Sequence, residues 1–143
     1  KIMSIPLDQG FILDGFPRNP NQASVLEQKL IEDARNLDKV IHIEVSEPEL
    51  LRRLGGRFVC RSCQAPHFIG NDEDGKRECD QCAGELYQRD DDAPGAVLKR
   101  IEIYNLETTP VLGFYRERDL IVDIGGDDTI DEVNKKVILA LDA

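Results

Sequence analysis

Four cysteines, Cys60, Cys63, Cys79 and Cys82, fall in one window as C-x2-C, fifteen residues, C-x2-C. Each C-x2-C turn aims two sulfurs at one point, and two such turns suit tetrahedral zinc. Four thiolates would close the coordination shell and leave no position for water. The chemistry implied is structural Zn2+ rather than a catalytic metal. Two disulfides or free thiols are the alternatives. Disulfides suit a secreted chain, yet no basic segment followed by an apolar one marks this chain for export. His67 lies between the knuckles, where four sulfurs already suffice, and reads as a surface or packing histidine.

The second constellation is Asp14-Gly15-Phe16-Pro17-Arg18, with Gln22 four residues on. It follows the apolar run Gly10-Phe11-Ile12-Leu13 directly. A carboxylate at a strand's carboxyl end can hold Mg2+ through its waters. Gly15 permits a tight turn, Pro17 stiffens the loop, and Arg18 can fork onto a phosphate. The amide of Gln22 donates and accepts together, as reading an adenine edge requires. An Asx turn beside a surface arginine explains the same residues equally well.

These groups need elements to position them. Gly10–Leu13, Val40–Val45 and Leu120–Ile124 are short and nearly continuous in apolarity, which suits parallel strands covered on both faces. Helical spacing of Ala23, Leu26, Leu30 and Ala34 predicts a helix from Asn21 to Arg35. Ser46-Glu47-Pro48-Glu49 predicts a capping box opening a helix that ends near Gly55-Gly56. A long helical stretch spans Ala93 to Arg118, bent near Pro110. A second capping box, Thr129 to Glu132, opens a final helix presenting Ile130, Val133, Val137 and Leu141. Strands alternating with helices imply a parallel sheet, with ligands outside the carboxyl ends of its strands. The expected organisation is a discontinuous α/β core, residues 1–57 and 92–143, interrupted by a cysteine-bearing insertion, residues 58–91. Polar turn signals inside the insertion are Gly70-Asn71-Asp72 and Asp74-Gly75.

Composition narrows the function. The 143 residues carry a net charge of −10, which argues against a general nucleic-acid binder. No run is long enough to span a membrane. The cations are biased toward arginine, eleven against seven lysines, and its planar fork matches phosphate oxygens.

The run Phe11-Ile12-Leu13-Asp14-Gly15-Phe16-Pro17-Arg18 with Gln22 resembles the adenylate kinase signature. The likeness extends through a four-cysteine lid, as in zinc-containing bacterial members, to the final helix. It implies a P-loop NTPase-like parallel sheet with helices on both faces and a small zinc-binding lid. It implies the reaction ATP + AMP = 2 ADP with Mg2+. Arg18 would then hold the AMP phosphate, Gly15 would line that site, Gln22 would contact adenine, and Asp14 would organise the magnesium hydration shell. Leu51 to Arg57 is similar to the segment leading into the lid, where Arg53 would stack on the ATP adenine and Arg57 would reach its phosphates. Tyr87 to Asp92 is similar to the segment leaving it, where Arg89 would close over the transferring group. Arg100 would bridge the two nucleotides. Asp91 and Asp92 match acids that pair with lid arginines in the family. Arg52, Arg61, Arg77, Arg116 and Arg118 match no role and read as solvated surface charges. The resemblance further implies a cytoplasmic protein, a monomer at full length, with nucleotides as partners and neither nucleic acid nor membrane.

The sequence contains no G-x-x-x-x-G-K-[ST]; Gly55-Gly56 and Gly125-Gly126 lack the following residues and spacing. The chain therefore resembles the carboxyl-terminal portion of an adenylate kinase. In the family, the strand leading to that loop separates the strand ending at Leu13 from the one ending at Val45. Either the chain is part of a longer kinase, or it is a non-catalytic, zinc-stabilised nucleotide-binding or interaction module. Retention of Asp14, Arg18, Arg53, Arg57, Arg89 and Arg100 favours the first reading; the missing loop leaves activity of this polypeptide alone unsupported.

Overall fold

A computed structural model of the protein describes residues 2–70 and 78–142. The turn signals Asn71-Asp72 and Asp74-Gly75, and Arg77, lie outside the described residues. The chain forms two compact units: Lys1–Glu44 with Ile103–Ala143, and Val45–Glu102.

In the first unit, α1 (Pro20–Glu32) starts at Asn19, whose side chain accepts the Gln22 N–H at 2.9 Å. Pro20 occupies the first turn, where its missing N–H costs nothing. Ala23, Leu26 and Leu30 are buried along one stripe, as their spacing predicts. The helix stops short of Arg35 because Ala34 takes the left-handed region at φ 53°. The N–H groups of Ala34 and Arg35 turn back to Ile31 and Leu30 carbonyls at 3.1 and 2.8 Å. That pair of bonds satisfies the orphan carbonyls of the last turn. Arg35, 9% exposed, then binds Asp33 at 2.7 Å and the carbonyls of Ile5 and Gln9.

Two of the three expected strands form. β1 (Val40–Glu44) and β5 (Ile121–Gly125) pair in parallel, Val40 against Ile121 and Glu44 against Gly125. Gly10–Leu13 forms no strand, and Ile12 is 91% exposed. A parallel strand exists only through bonds to a neighbour, and none of the described residues supplies one beside this segment. The expected cover on both faces is also incomplete, since Ile43 of β1 is 47% exposed.

The long helix is divided. α3 (Pro94–Ile103) belongs to the second unit except for its last residue. A π-helical turn, Tyr104–Thr108, precedes α4 (Thr109–Arg116). Pro110 has no N–H and its ring crowds the carbonyl of residue 106, so the widened turn falls just before it. Val111 and Tyr115 of α4 form the core with Ala23, and Leu37, Val40, Phe114, Leu120 and Ile121 pack around it. Arg118 joins α4 to α1 through Glu27 at 2.6 Å while its guanidinium lies 3.6 Å from the Phe114 ring centroid.

α5 (Ile130–Asp142) opens with the expected capping box. Thr129 N–H donates to Glu132 at 3.1 Å, and Glu132 N–H to the Thr129 hydroxyl at 3.4 Å. Its half-buried face is Val133, Val137 and Ala140. Ile130 and Leu141, expected on that face, are 87% and 54% exposed. Among the described residues, no helix is long and apolar enough to cross a membrane.

The second unit begins with α2 (Glu47–Gly55). The Ser46 side chain makes no cap bond here, and the Glu49 carboxylate accepts from Arg52 and Arg53 at 2.6 and 2.5 Å. The antiparallel strands β2 (Arg57–Cys60), β3 (Pro66–Phe68) and β4 (Leu86–Tyr87) form a small sheet ordered β3-β2-β4. Its buried cluster is Cys60, Cys79 and Leu86, with Phe58 and Ile69 against it. So few apolar side chains make a slight core, which a metal staple would supplement.

Candidate functional site

The four cysteines converge. The ligand atoms of Cys60, Cys63, Cys79 and Cys82 lie within 4.8 Å of one another. Sγ of Cys60 is 3.5 Å from Cys82, and Sγ of Cys63 is 3.6 Å from Cys79. All four are free cysteines. Bonds of about 2.3 Å to a tetrahedral zinc would set sulfurs about 3.8 Å apart, so the cage fits such an ion. The N–H groups of Ser62 and Cys63 donate to the Cys60 sulfur at 3.3 and 3.5 Å. Gln64 and Ala83, at φ 62° and 54°, turn the chain after each knuckle. A Cβ on Gly84 would meet the Cys60 sulfur at 2.9 Å, so only glycine fits there. The Cys63 N–H, helped by that of Ser62 and opposed by burial, pulls the Cys60 thiol down to about 6. Cys82 is pushed up to about 12: the Gly84 N–H favours its thiolate, but the Cys60 and Cys63 thiols and burial outweigh it. Thiols packed this closely ionise together only with a cation among them.

His67 is half-buried and places Nδ1 3.4 Å from Asp80 Oδ1. That contact is the one polar approach of its ring among the described residues, and it is longer than a strong hydrogen bond.

Arginines stand at both connections of this module. Arg53 on α2 donates to Glu49 at 2.5 Å. Arg52 and Arg53, in that order, hold the Glu49 carboxyl down to about 2. Arg57 opens β2, exposed and without a side-chain partner among the described residues. On the other connection, Arg89 donates to Asp91 at 2.9 Å. Arg100 donates to the Asp91 carbonyl at 3.3 Å and lies 3.6 Å from Asp92 Oδ1. Arg89, Arg100, Asp91 and Asp92 therefore share one cluster. Gln88, which the sequence reading passed over, joins the two connections: its amide donates to Gly55 O at 2.7 Å and Asp92 O at 3.2 Å. Its place beside Arg89 was the only signal for it.

The first unit holds the other predicted residues in one loop. Gly15 takes φ 65°, and Phe16-Pro17 is a cis peptide. A Cβ on Gly15 would meet the Arg18 guanidinium at 2.9 Å. Arg18 Nε donates to Gly15 O at 2.7 Å, and Arg18 N–H to Gln22 Oε1 at 2.8 Å. Thr108 fastens the loop by donating to Arg18 O at 3.1 Å. Asp14 is exposed without a side-chain partner among the described residues. Neither the Nη groups of Arg18 nor the amide nitrogen of Gln22 has one either.

Several arginines read as solvated charges are paired. Arg61 lies 4.5 Å from the Tyr87 ring centroid and 3.2 Å from Glu85, and Arg52 stacks 5.0 Å from Phe68. Arg116 holds Asp123 at 3.0 Å. Asp123 also accepts from His42 Nδ1 at 2.7 Å, and the Tyr104 hydroxyl lies 3.4 Å from His42 Nε2. Hydrogen bonds from His42 and then Arg116 hold Asp123 below the usual carboxylate range. The sequence reading missed this network, because nothing fixed the register that sets His42 opposite Asp123.

The class these features define is an α/β protein with a parallel strand pair and a four-cysteine module flanked by arginines. A family model described as adenylate kinase matches residues 1–120. The chain is 46% identical to an adenylate kinase of Dehalococcoides mccartyi over 132 residues, 92% of this chain and 61% of that protein. It is 47% identical to one of Methanocella arvoryzae over 134 residues, 93% of this chain and 62% of that protein. It is 43% identical to one of Desulfitobacterium hafniense over 135 residues, 94% and 62% respectively. The chain belongs to the adenylate kinase family and spans about six-tenths of the length of these curated relatives.

Proposed function

We propose that the chain serves reversible phosphoryl transfer between ATP and AMP, giving two ADP. The observation that carries this reading is the placement of arginines on both connections of the four-cysteine module, with Arg57 unpaired among the described residues. Phosphoryl transfer needs little covalent help from protein; it needs in-line positioning and cations around the transferring group. Arg53 stacks on the ATP adenine and Arg57 reaches its phosphates. Arg89 closes over the transferring group, and Arg100 bridges the nucleotides. In the first unit, Arg18 binds the AMP phosphate beside Gly15, and Gln22 reads the adenine. Support for those roles comes from the Nη groups of Arg18 and the amide nitrogen of Gln22, which the loop leaves without protein partners among the described residues.

Asp14 would hold the hydration shell of Mg2+, and the ion would screen the ATP phosphates. The four cysteines would hold structural Zn2+. Residues 58–91 then act as a metal-stapled lid whose closure excludes water, a competing acceptor. Reduced zinc thiolates and ATP suit the cytoplasm.

The test is ADP formation from ATP paired in turn with AMP and other nucleoside monophosphates, on the full polypeptide that carries this sequence. Turnover that prefers AMP supports the reading. Tight nucleotide binding without ADP formation would identify a non-catalytic module instead.

A further inference from the structure

We infer that the lid holds a second divalent-cation site, formed by His67, Asp80 and a bridging Cys79, beside the four-cysteine centre. The inference rests on the zinc-lid reading above and extends it to residues that reading does not use.

Three observations converge. One ligand atom from each of His67, Cys79 and Asp80 lies within 4.8 Å of the others, and Cys79 also belongs to the four-cysteine set. The separation of His67 Nδ1 from Asp80 Oδ1, 3.4 Å, is too long for a strong charge-assisted hydrogen bond, normally about 2.7–2.9 Å. It matches the edge of a coordination tetrahedron, about 3.4 Å for metal–ligand bonds near 2.1 Å. Finally, neither ring nitrogen of His67 makes a hydrogen bond among the described residues, so no protein donor claims the lone pair that Nδ1 would offer an ion. The protein satisfies this ring poorly, although buried polar atoms are normally paired.

The chemistry of the donors selects the ion. Imidazole, thiolate and carboxylate together suit a borderline cation such as Zn2+ or Co2+ rather than Mg2+ or Ca2+. Electrostatics favours a second charge there. Four thiolates around one divalent ion leave about −2, and Asp80 adds another negative charge. A thiolate retains lone pairs after binding one metal, so Cys79 can bridge. Its sulfur is buried, whereas Asp80 is largely exposed, so the second ion enters from the solvent side. Three protein ligands leave one coordination position open. The second site binds more weakly than the first, which has four thiolates.

Equilibrium dialysis of the metal-free full polypeptide against rising Zn2+, followed by metal analysis, tests this. Two equivalents are expected in the unaltered protein, and Asp80→Asn and His67→Ala should each retain only the tighter one. Asp80 has an 81% exposed side chain, so its replacement leaves packing intact should His67→Ala disturb the lid. The thiolate-to-metal absorption band of a Co2+-loaded sample reports separately that the four-cysteine centre is filled. A single equivalent at saturation would overturn the second site and leave the first standing. Two equivalents that persist in both variants would also overturn it. No bound metal at all would overturn the four-cysteine centre along with it.

Discussion

Replacing Cys60 with serine should release the metal and unfold the small sheet while sparing the first unit. Cys60 is wholly buried, its sulfur 3.5 Å from Cys82 and bonded to two backbone N–H groups. A serine hydroxyl stays protonated at neutral pH and is a harder, shorter ligand than a thiolate. Structural zinc sites bind with about 10–16 kcal/mol, so one ligand in four accounts for about 2.5–4 kcal/mol. At about 1.4 kcal/mol per tenfold, Cys60→Ser should weaken binding by about 100- to 1,000-fold. Beyond the cysteines, Leu86 is the one buried side chain of that cluster among the described residues, so apolar burial cannot replace the metal. Competition with a chromophoric chelator gives the affinity. Hydrogen exchange gives the consequence: amides of β2, β3 and β4 should lose protection in the variant, and those of α1, β1 and β5 should keep it. Metal binding within tenfold of the unaltered protein, or lid amides equally protected without metal, would refute the reasoning.

Other consequences are as direct. Ala34 holds φ 53° at the end of α1, so Ala34→Gly should raise stability by about 0.5–1 kcal/mol in thermal or denaturant unfolding. Thr129→Ala removes the capping box of α5 and should cost about 1 kcal/mol, seen in the same unfolding experiments and as faster exchange in the first turn. Glu49 is held near 2 against an ordinary 4.5, so its pairing with Arg52 and Arg53 favours the folded state above pH 4.5 and fades as pH falls toward 2. A carboxyl-carbon titration of Glu49 by NMR should show a midpoint near 2; one near 4.5 would show that the pairing does not persist in solution.

Much of this was legible in the residues, for identifiable reasons. The cysteine spacing dictates convergence, because each C-x2-C turn is a local structure that needs little else. β1 and β5 were readable from their apolar runs, and α1 from its stripe and cap. Gly10–Leu13 has the same composition as a strand but no neighbour among the described residues, and pairing is a property of two segments that no single run reveals. Ser46 to Glu49 satisfies the capping-box pattern, yet the Ser46 side chain makes no cap bond, and two arginines at helical spacing hold the Glu49 carboxylate with full charges. Ile130 and Leu141 share helical periodicity with Val133 and Val137, but burial depends on what the sheet offers opposite them. The network of His42, Asp123, Tyr104 and Arg116 lay hidden because its members are far apart in sequence and meet only through the parallel register. Asp91 and Asp92 meet Arg89 and Arg100, and Arg100 stands on α3, outside residues 58–91.

The most direct test of the proposed function is the turnover of Arg89→Lys in the full polypeptide that carries this sequence, with its metal content measured alongside. Lysine keeps the charge but loses the planar fork, so ADP formation from ATP and AMP should fall by about 100-fold or more, with metal content unchanged. ADP formation at an unaltered rate in this variant would contradict the role given to Arg89. No ADP formation by the unaltered polypeptide would contradict the function itself.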